Sequence, residues 1–592
     1  MNAAMHPGSD LAQALARQVE RWATAAGAAS ADARAARDAA QALALAMAEG
    51  HVCLGIAQAA DTQALLGSGV VGRADGPGEP PLVLDDEGRL YLRRYFDYER
   101  RLARRLLRTL PAPGLRARPP DIATLRRTLD ARFAAEGGQG GQGGPDWQKL
   151  AAALALRGRL AVVSGGPGTG KTTTVVALLA CLLALDPACR IALAAPTGKA
   201  AARLAEAIAQ QAAQLPPALR AALPREASTV HRLLEAGPAG FGRHAGRRLA
   251  LDVLIVDEAS MLDLALATRL LEAVPDEARI VLLGDKDQLA AVESGAVFAE
   301  LCADPSLTDA CRDELAALTG IAAEAIAAEA PRGSGTLPDS TIWLQRSYRF
   351  APDSAIARLA AAIRSGNAEA ALAAAGERLA DADAALDHAL RGFAPLLAEV
   401  RAGAPPAQLH AAFARYRVLA ALRDGPRGVS ALNARIEQRF RAALGPLDRM
   451  PRSPWYPGRP VLVRRNDALL KLFNGDVGIA LPQPDGALEV VFPRADGSLL
   501  AVAPVRLPPH DTAFAMTVHQ SQGSEFDDLL VLLPEQSTSR VLTRELVYTA
   551  VTRARRSVTL CAGDEVLGAA IGRATQRHSG LLARLREEAL RR

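Results

Sequence analysis

The run Gly165-Gly166-Pro167-Gly168-Thr169-Gly170-Lys171-Thr172 fits G-x-x-x-x-G-K-[ST] and constrains the fold more than any other stretch of the 592 residues. Leu160-Ala161-Val162-Val163-Ser164 before it reads as a strand of a parallel sheet buried on both faces. Thr173 to Leu179 after it reads as a buried helix. Strand, glycine loop and helix in that order are what a phosphate-binding loop requires. The glycines let successive backbone N–H groups turn inward, and the helix N-terminus adds partial positive charge. Lys171 is placed to reach the β- and γ-phosphates and the Thr172 hydroxyl to ligate Mg²⁺, with Gly165 through Thr173 forming the cradle.

Further apolar runs alternate with helical patterns: Ile191–Ala195, Leu251–Val256 and Ile280–Leu283. This alternation predicts a doubly wound parallel sheet with its chemistry at the strand carboxyl ends. The strand ends carry suitable groups. Asp257 can hold Mg²⁺, and the adjacent Glu258 can polarise an attacking water. Gln288, in Gly284-Asp285-Lys286-Asp287-Gln288-Leu289, is placed to sense the γ-phosphate. Gln148, upstream of the loop, has an amide able to read an adenine edge, although alone it would be a surface glutamine. Pro196, Thr197 and Lys199 end the second strand, and His231 lies in Ser228–Leu234; both loops suit contacts to a nucleic-acid backbone.

Length predicts several domains. The net charge of +5 is compatible with a polyanionic partner without requiring one. Six scattered cysteines form no C-x-x-C pair and read as buried thiols in a reducing cytosol. No secretory signal and no run of about 20 apolar residues is visible, so the expectation is a cytoplasmic protein with no membrane partner. Residues 1–118 are expected to form a small, largely helical domain with a hairpin at Pro81–Leu92. The arginines of 93–108 could make a docking face, but a solvated helix face is the favoured reading. Residues 119–145, with Gly137–Gly144, read as a linker.

From Trp147 to about Leu581 an ordered series of motifs resembles the superfamily 1 helicases, and within them the RecD family. To the stretches above it adds Ser347-Tyr348-Arg349-Phe350, Leu472-Phe473-Asn474-Gly475-Asp476-Val477-Gly478, Thr517 to Phe526, and Tyr548 to Arg555. The resemblance implies an α/β chain with two RecA-like P-loop domains in tandem, at 146–342 and 343–592. It also implies an ATP site in the cleft between them and single-stranded DNA crossing both. Val418–Leu422, Pro460–Val463, Leu529–Leu533 and Val558–Leu560 are expected strands of the second sheet. Arg349 and Arg553 are expected from the second domain as phosphate-stabilising arginines. Thr517 and His519 resemble a DNA-facing motif, and Glu525 resembles the family carboxylate near the nucleotide ribose. A β-rich insertion at about 469–509, with turns at Asn474-Gly475, Asp485-Gly486 and Asp496-Gly497, resembles an SH3-like barrel. Accessory roles are expected for the helical insertion at 304–339 and for the Pro-rich loop at 445–458. Its Trp455-Tyr456 pair is read as capping a sheet edge in preference to stacking on a base.

The function this implies is ATP-driven 5′-to-3′ movement on DNA within a RecBCD-type helicase-nuclease. RecB-like and RecC-like subunits would be partners, and duplex ends with their single strands the substrate. A freestanding RecD-like helicase is the rival; its relatives tend to carry a longer N-terminal region. No Asp/Glu/Lys cluster outside the ATP site suggests nuclease chemistry in this chain, and the intact Lys171, Asp257, Glu258 and Arg553 argue against an inert scaffold.

Overall fold

The computed structural model describes residues 9–591 apart from 57–58, 111–121, 134–144, 327–336, 352, 377, 450–451, 468, 484–485 and 495–496. The Gly137–Gly144 stretch, residues 111–118, part of the 304–339 insertion, and Asp485 and Asp496 of two expected turns lie outside the described residues.

Six parallel strands form the first large sheet. Their order is Thr341–Leu344, Leu160–Gly165, Arg279–Gly284, Val253–Val256, Ile191–Ala195, Ser228–Thr229. Alternate residues along each strand serve opposite cores. Leu160, Val162, Leu254, Val256, Ile280 and Leu282 face one. Ala161, Val163, Val253, Ile255, Val281 and Leu283 face the other. Burial on both faces is why these strands are apolar without interruption. The strand Thr341–Leu344 crosses the expected boundary at residue 342, because it pairs with the strand that feeds the phosphate loop.

The second sheet is also parallel, in the order Ala515–Thr517, Tyr416–Ala420, Phe526–Leu532, Ala554–Cys561. Pro460–Val463 does not belong to it. That strand pairs antiparallel with Val477–Pro482 and His510–Thr512 in a separate five-stranded sheet completed by Leu488–Pro493 and Leu499–Val502. Its apolar residues read like a motor strand because Val461 and Val463 fill the core of that small sheet, whereas Leu462 reaches the motor core. The small sheet therefore runs from Pro460 to Thr512, wider than 469–509. Trp455 lies against it, its ring 5.3 Å from that of His510 on an edge strand, whereas Tyr456 is fully buried.

Among the described residues before the first motor sheet, the helices Ser9–Ala25, Ser30–Ala48 and Ala59–Gly67 accompany a four-stranded sheet that includes the antiparallel pair Leu82–Leu84 and Arg89–Leu92. The arginine-rich helix, Arg93–Leu107, is not a solvated face. Arg105 is buried and donates to the carbonyls of Leu271, Val274 and Pro275 at 2.8, 3.2 and 3.0 Å. Those carbonyls end the helix Leu264–Ala273, where a cation is favoured. Arg101 pairs with Glu272 and Arg104 with Glu588.

The last residues return to this same place. After the helix Asp564–Gly572 the chain crosses from Glu545, which accepts from Thr575 N at 2.9 Å, to Glu293 and Gly295, whose carbonyls accept from Arg577. It then meets Val52, whose N–H donates to His578 O at 2.8 Å. The helix Leu581–Leu590 closes the core, with Arg584 buried against Asp85 at 2.9 Å. Ser579 Oγ lies 2.8 Å from Glu99 Oε1 and 3.0 Å from Glu300 Oε2. One hydroxyl carries one proton and cannot donate to two carboxylates at once. Burial pushes Glu99 up to about 7. Burial, then the neighbouring Glu99, pushes Glu300 up to about 8.

Both folded values exceed that of an unfolded glutamate, so the stabilisation from holding these protons is complete below about pH 4.3 and is lost as pH rises through 7 and 8. Between pH 5 and 8 the wild type is therefore expected to lose stability relative to Glu300→Gln, by at most about 1.4 kcal/mol per pH unit for the one carboxyl that differs. Chemical denaturation of both proteins across that range measures the gap.

Candidate active site

The phosphate loop joins Leu160–Gly165 to the helix Lys171–Leu185. Gly168 and Gly170 adopt φ of 76° and 81°, left-handed values that open the loop. A side chain at Gly170 would collide with Gln148, whose Nε2 donates to Thr169 O at 3.0 Å. Gln148 is thus buried behind the loop and supports it from below. Lys171 Nζ donates to Gly165 O at 2.6 Å.

A cavity of about 680 Å³ opens over the loop, with walls from both large sheets and the segments that follow them. The first contributes Gly166 to Thr173, Arg203, Asp257, Glu258 and Gln288; residues after Thr341–Leu344 add Tyr348 and Arg349; the second contributes Glu525, Arg553 and Arg555. Gly165 and Gln148, expected at the site, do not line it. Glu258 has a positive φ of 52°, a strained conformation for a glutamate at a strand exit. Asp257 Oδ1 accepts from Glu258 N at 2.9 Å. Burial and then the Glu258 carboxylate raise Asp257, with Lys171 pulling the other way. The Asp257 carboxyl and the Thr172 hydroxyl both line this cavity, and oxygen donors of these kinds suit Mg²⁺.

Two arginines reach the cavity by different routes. Arg553 Nη2 donates to Gln288 Oε1 at 2.7 Å, and Gln288 Nε2 donates to Asp285 Oδ2 at 2.9 Å. Arg553 belongs to the second sheet's side of the cleft, just before the strand Ala554–Cys561. Arg349 does not. It follows Thr341–Leu344 of the first sheet, and its neighbour Tyr348 N donates to Gly168 O at 2.7 Å. The segment is anchored to the phosphate loop before it enters the helix Ala355–Ser365. Arg349 Nη2 donates to Glu525 Oε1 at 2.5 Å, and Arg555 donates to Glu525 Oε2 at 3.1 Å. Burial works to raise Glu525, yet Arg349, Arg203 and Arg555 hold it below the usual carboxylate range.

Arg203 and Arg555 went unread in the sequence. Arg203 lies four residues after Lys199 in the helix Gly198–Ala212, a spacing that shares one helix face and could have flagged it. The residues read as DNA contacts lie at strand carboxyl ends of both sheets. Pro196 and Thr197 follow Ile191–Ala195, and Thr197 caps the next helix through Ala200 N. Lys199 is half-buried beside Gly475 and Asp476 of the small sheet; burial, then Arg203 and Arg417, lower it to about 7 against Asp476. His231 is exposed near the Phe241 ring. Thr517 lines a separate groove of about 360 Å³ with Ser430, Asn433 and Gln520, and His519 is exposed beside it.

Sequence comparison adds family to geometry. The "AAA domain" profile matches residues 148–294, and the "UvrD-like helicase C-terminal domain" profile matches 512–561. The RecBCD enzyme subunit RecD of Mycobacterium tuberculosis is 41% identical over 86% of this chain and 82% of that protein. The chain belongs to the RecD family. The Haemophilus influenzae RecBCD enzyme subunit RecD is 36% identical over 74% of this chain and 72% of its own length. The ATP-dependent RecD2 DNA helicase of Deinococcus radiodurans is 34% identical over 79% of this chain but only 54% of that protein. The matched profiles cover both walls of the cavity: Arg553 falls in the second and Gln288 in the first.

Because Arg203 contributes a cation to a cavity shaped for phosphates, Arg203→Ala is expected to weaken nucleotide binding about ten-fold, the size of one charge-assisted hydrogen bond. Titration with a fluorescent ATP analogue reads this directly.

Proposed function

We propose that this RecD-family chain is an ATP-dependent 5′-to-3′ DNA helicase and translocase subunit of a RecBCD-type helicase-nuclease, acting at double-strand ends with RecB-like and RecC-like partners. The observation that carries the motor reading is the 2.7 Å contact between Arg553, beside the second sheet, and Gln288, beside the first, within the nucleotide-sized cavity. An arginine that meets the phosphate sensor only across the cleft ties closure to what the cavity holds.

In this reading Lys171 and the loop N–H groups hold the phosphates, and Arg553 and Arg349 stabilise charge on the transferring group. Thr172 and Asp257 would hold Mg²⁺, which supplies charge neutralisation of the phosphate oxygens. Glu258 takes the proton of the attacking water, and Gln288 orients that water. Glu525 holds Arg349 and Arg555 in place beside the ribose end of the cavity. The strand-end residues Pro196, Thr197, Lys199, His231, Thr517 and His519 contact single-stranded DNA. Since they sit on both sheets, opening and closing the cleft changes their spacing along the strand, which is translocation. Residues 1–118 are assigned to partner docking, and hydrolysis of ATP, not of DNA, to this chain. The RecBCD-type reading is supported by the names of the relatives matched over most of their length; the RecD2 relative is nearly half unmatched.

Lys171→Gln is expected to lower DNA-stimulated ATP hydrolysis at least ~10²-fold and to abolish unwinding of a 5′-tailed duplex, with single-strand binding kept within a few-fold. Wild-type unwinding by this variant, assayed without a second motor, would overturn the proposal. Unwinding of only 3′-tailed duplexes by the wild type would overturn the polarity, and purification from its own cells as a monomer would favour the freestanding alternative.

A further inference from the structure

The residue after the sensor glutamine is held in an unusual way. Leu289 N donates to Thr549 Oγ1 at 2.9 Å, and Leu289 O accepts from Gln522 Nε2 at 3.1 Å. A residue has one backbone donor and one carbonyl acceptor. Leu289, which follows the first sheet's strand Arg279–Gly284, commits both to side chains from the second sheet's side of the cleft. Thr549 is fully buried in the helix Arg544–Val551, and its own carbonyl accepts from Arg553 Nε at 3.3 Å. Gln522 follows the turn His519–Ser521, where Ser521 Oγ donates to Val518 O at 2.7 Å. The next residue, Gly523, lies against Ala200 at the start of the helix that follows Thr197.

We infer that Thr549 and Gln522 are positioning residues for ATP hydrolysis: they clamp the backbone of Leu289 across the cleft and so fix Gln288. The inference rests on the motor reading above. Leu289 reaches both partners only when the two sheets face each other, so the clamp is a product of closure. With it in place, Gln288 is confined at its side chain by Asp285 and Arg553 and at the adjoining peptide by Thr549 and Gln522. An amide that must orient a water or a phosphate oxygen acts best when it cannot turn away. The two halves of the clamp differ in what they report. Thr549 shares a helix with the approach to Arg553, so it registers the nucleotide side. Gln522 shares a tight turn with Thr517 and Gln520, which line the groove assigned to DNA, so it registers the strand. A shift of that turn on strand binding would move Gln522 and, through Leu289, the sensor.

The test is steady-state ATP hydrolysis by the full chain, with and without an oligo-dT single strand. Thr549→Val keeps the shape and removes the acceptor; Thr549→Ser keeps the hydroxyl. We expect T549V to lower kcat about ten-fold while KM for ATP stays within two-fold, and T549S to restore kcat to within two-fold of wild type. We expect Gln522→Leu to lower the DNA-stimulated rate by a larger factor than the DNA-free rate. Wild-type kcat in T549V, equal losses in T549V and T549S, or equal losses with and without DNA in Q522L would overturn the clamp. If T549V does not fold, as judged by its melting transition, Q522L decides. A wild type that hydrolyses no ATP on DNA would instead remove the motor reading itself.

Discussion

The structure turns on a buried guanidinium. Arg553 is 4% exposed, and it spends its donors on Gln288, on Thr549 O and on Ser524 O. A charge withdrawn from water is costly unless hydrogen bonds replace hydration. Here two of the replacements come from its own side of the cleft and one from the facing side. Parting the sheets would give up that contact together with both backbone bonds of Leu289 to Thr549 and Gln522 and the burial of the Leu289 side chain in the second sheet's core. Each hydrogen bond so exchanged for water costs about 1 kcal/mol net, and up to about 3 kcal/mol for the charged one.

The remaining charges of the cavity follow from the same demand. Arg203, Arg349 and Arg555 surround the single carboxylate Glu525. Burial lowers Arg203 and Arg349, with Glu525 opposing, so the carboxylate is the anion that makes a dense cationic wall tolerable. A triphosphate brings more negative charge than Glu525 offers, and the arginines can re-pair with it at little reorganisation cost because they are already assembled. Across the floor, Asp257 and Glu258 make the opposite kind of surface, two carboxyls that repel each other. The cavity is thus polar along its length, basic near Arg553 and acidic near the strand exit.

Much of this was legible in the chain. Strands buried on both faces advertise themselves as unbroken apolar runs, and Asp257 and Gln288 were found because they end such runs. The same rule misled at Pro460–Val463, where a small antiparallel sheet borrows one residue for the motor core and so copies the pattern. Arg349 sits in the segment that leaves the first sheet at Leu344 and enters the second sheet's core at Phe350, a position between the two halves that only the strand pairing and the packing make visible. The chemistry of the Gln148 amide is legible in the sequence, but its bond to Thr169 O, which ties it to the phosphate loop, is not. Arg105 illustrates the deepest limit. An arginine on a charged helix looks solvated in sequence, and only the approach of three carbonyls from 166 or more residues away makes it a buried anchor.

The union of the first and last parts of the chain has a consequence for how it is made. Leu581 and Leu585 share one core with Val52, Tyr91, Phe96, Leu102 and Leu270. Arg584 neutralises Asp85, a contact spanning 499 positions. On a ribosome the N-terminal unit emerges first; Arg89 of the same unit pairs with Asp85 and the first motor sheet covers part of the apolar side, but Arg584 and the helix Leu581–Leu590 arrive only tens of seconds later at about 5–20 residues per second. Through that interval the nascent chain presents an unfinished hydrophobic face. Loop closure over so long a separation adds little to the entropic cost at equilibrium but makes the last docking step slow. Synthesis of this protein therefore has a vulnerable period set by its length, in which a chaperone or a neighbouring subunit can act before the chain closes on itself.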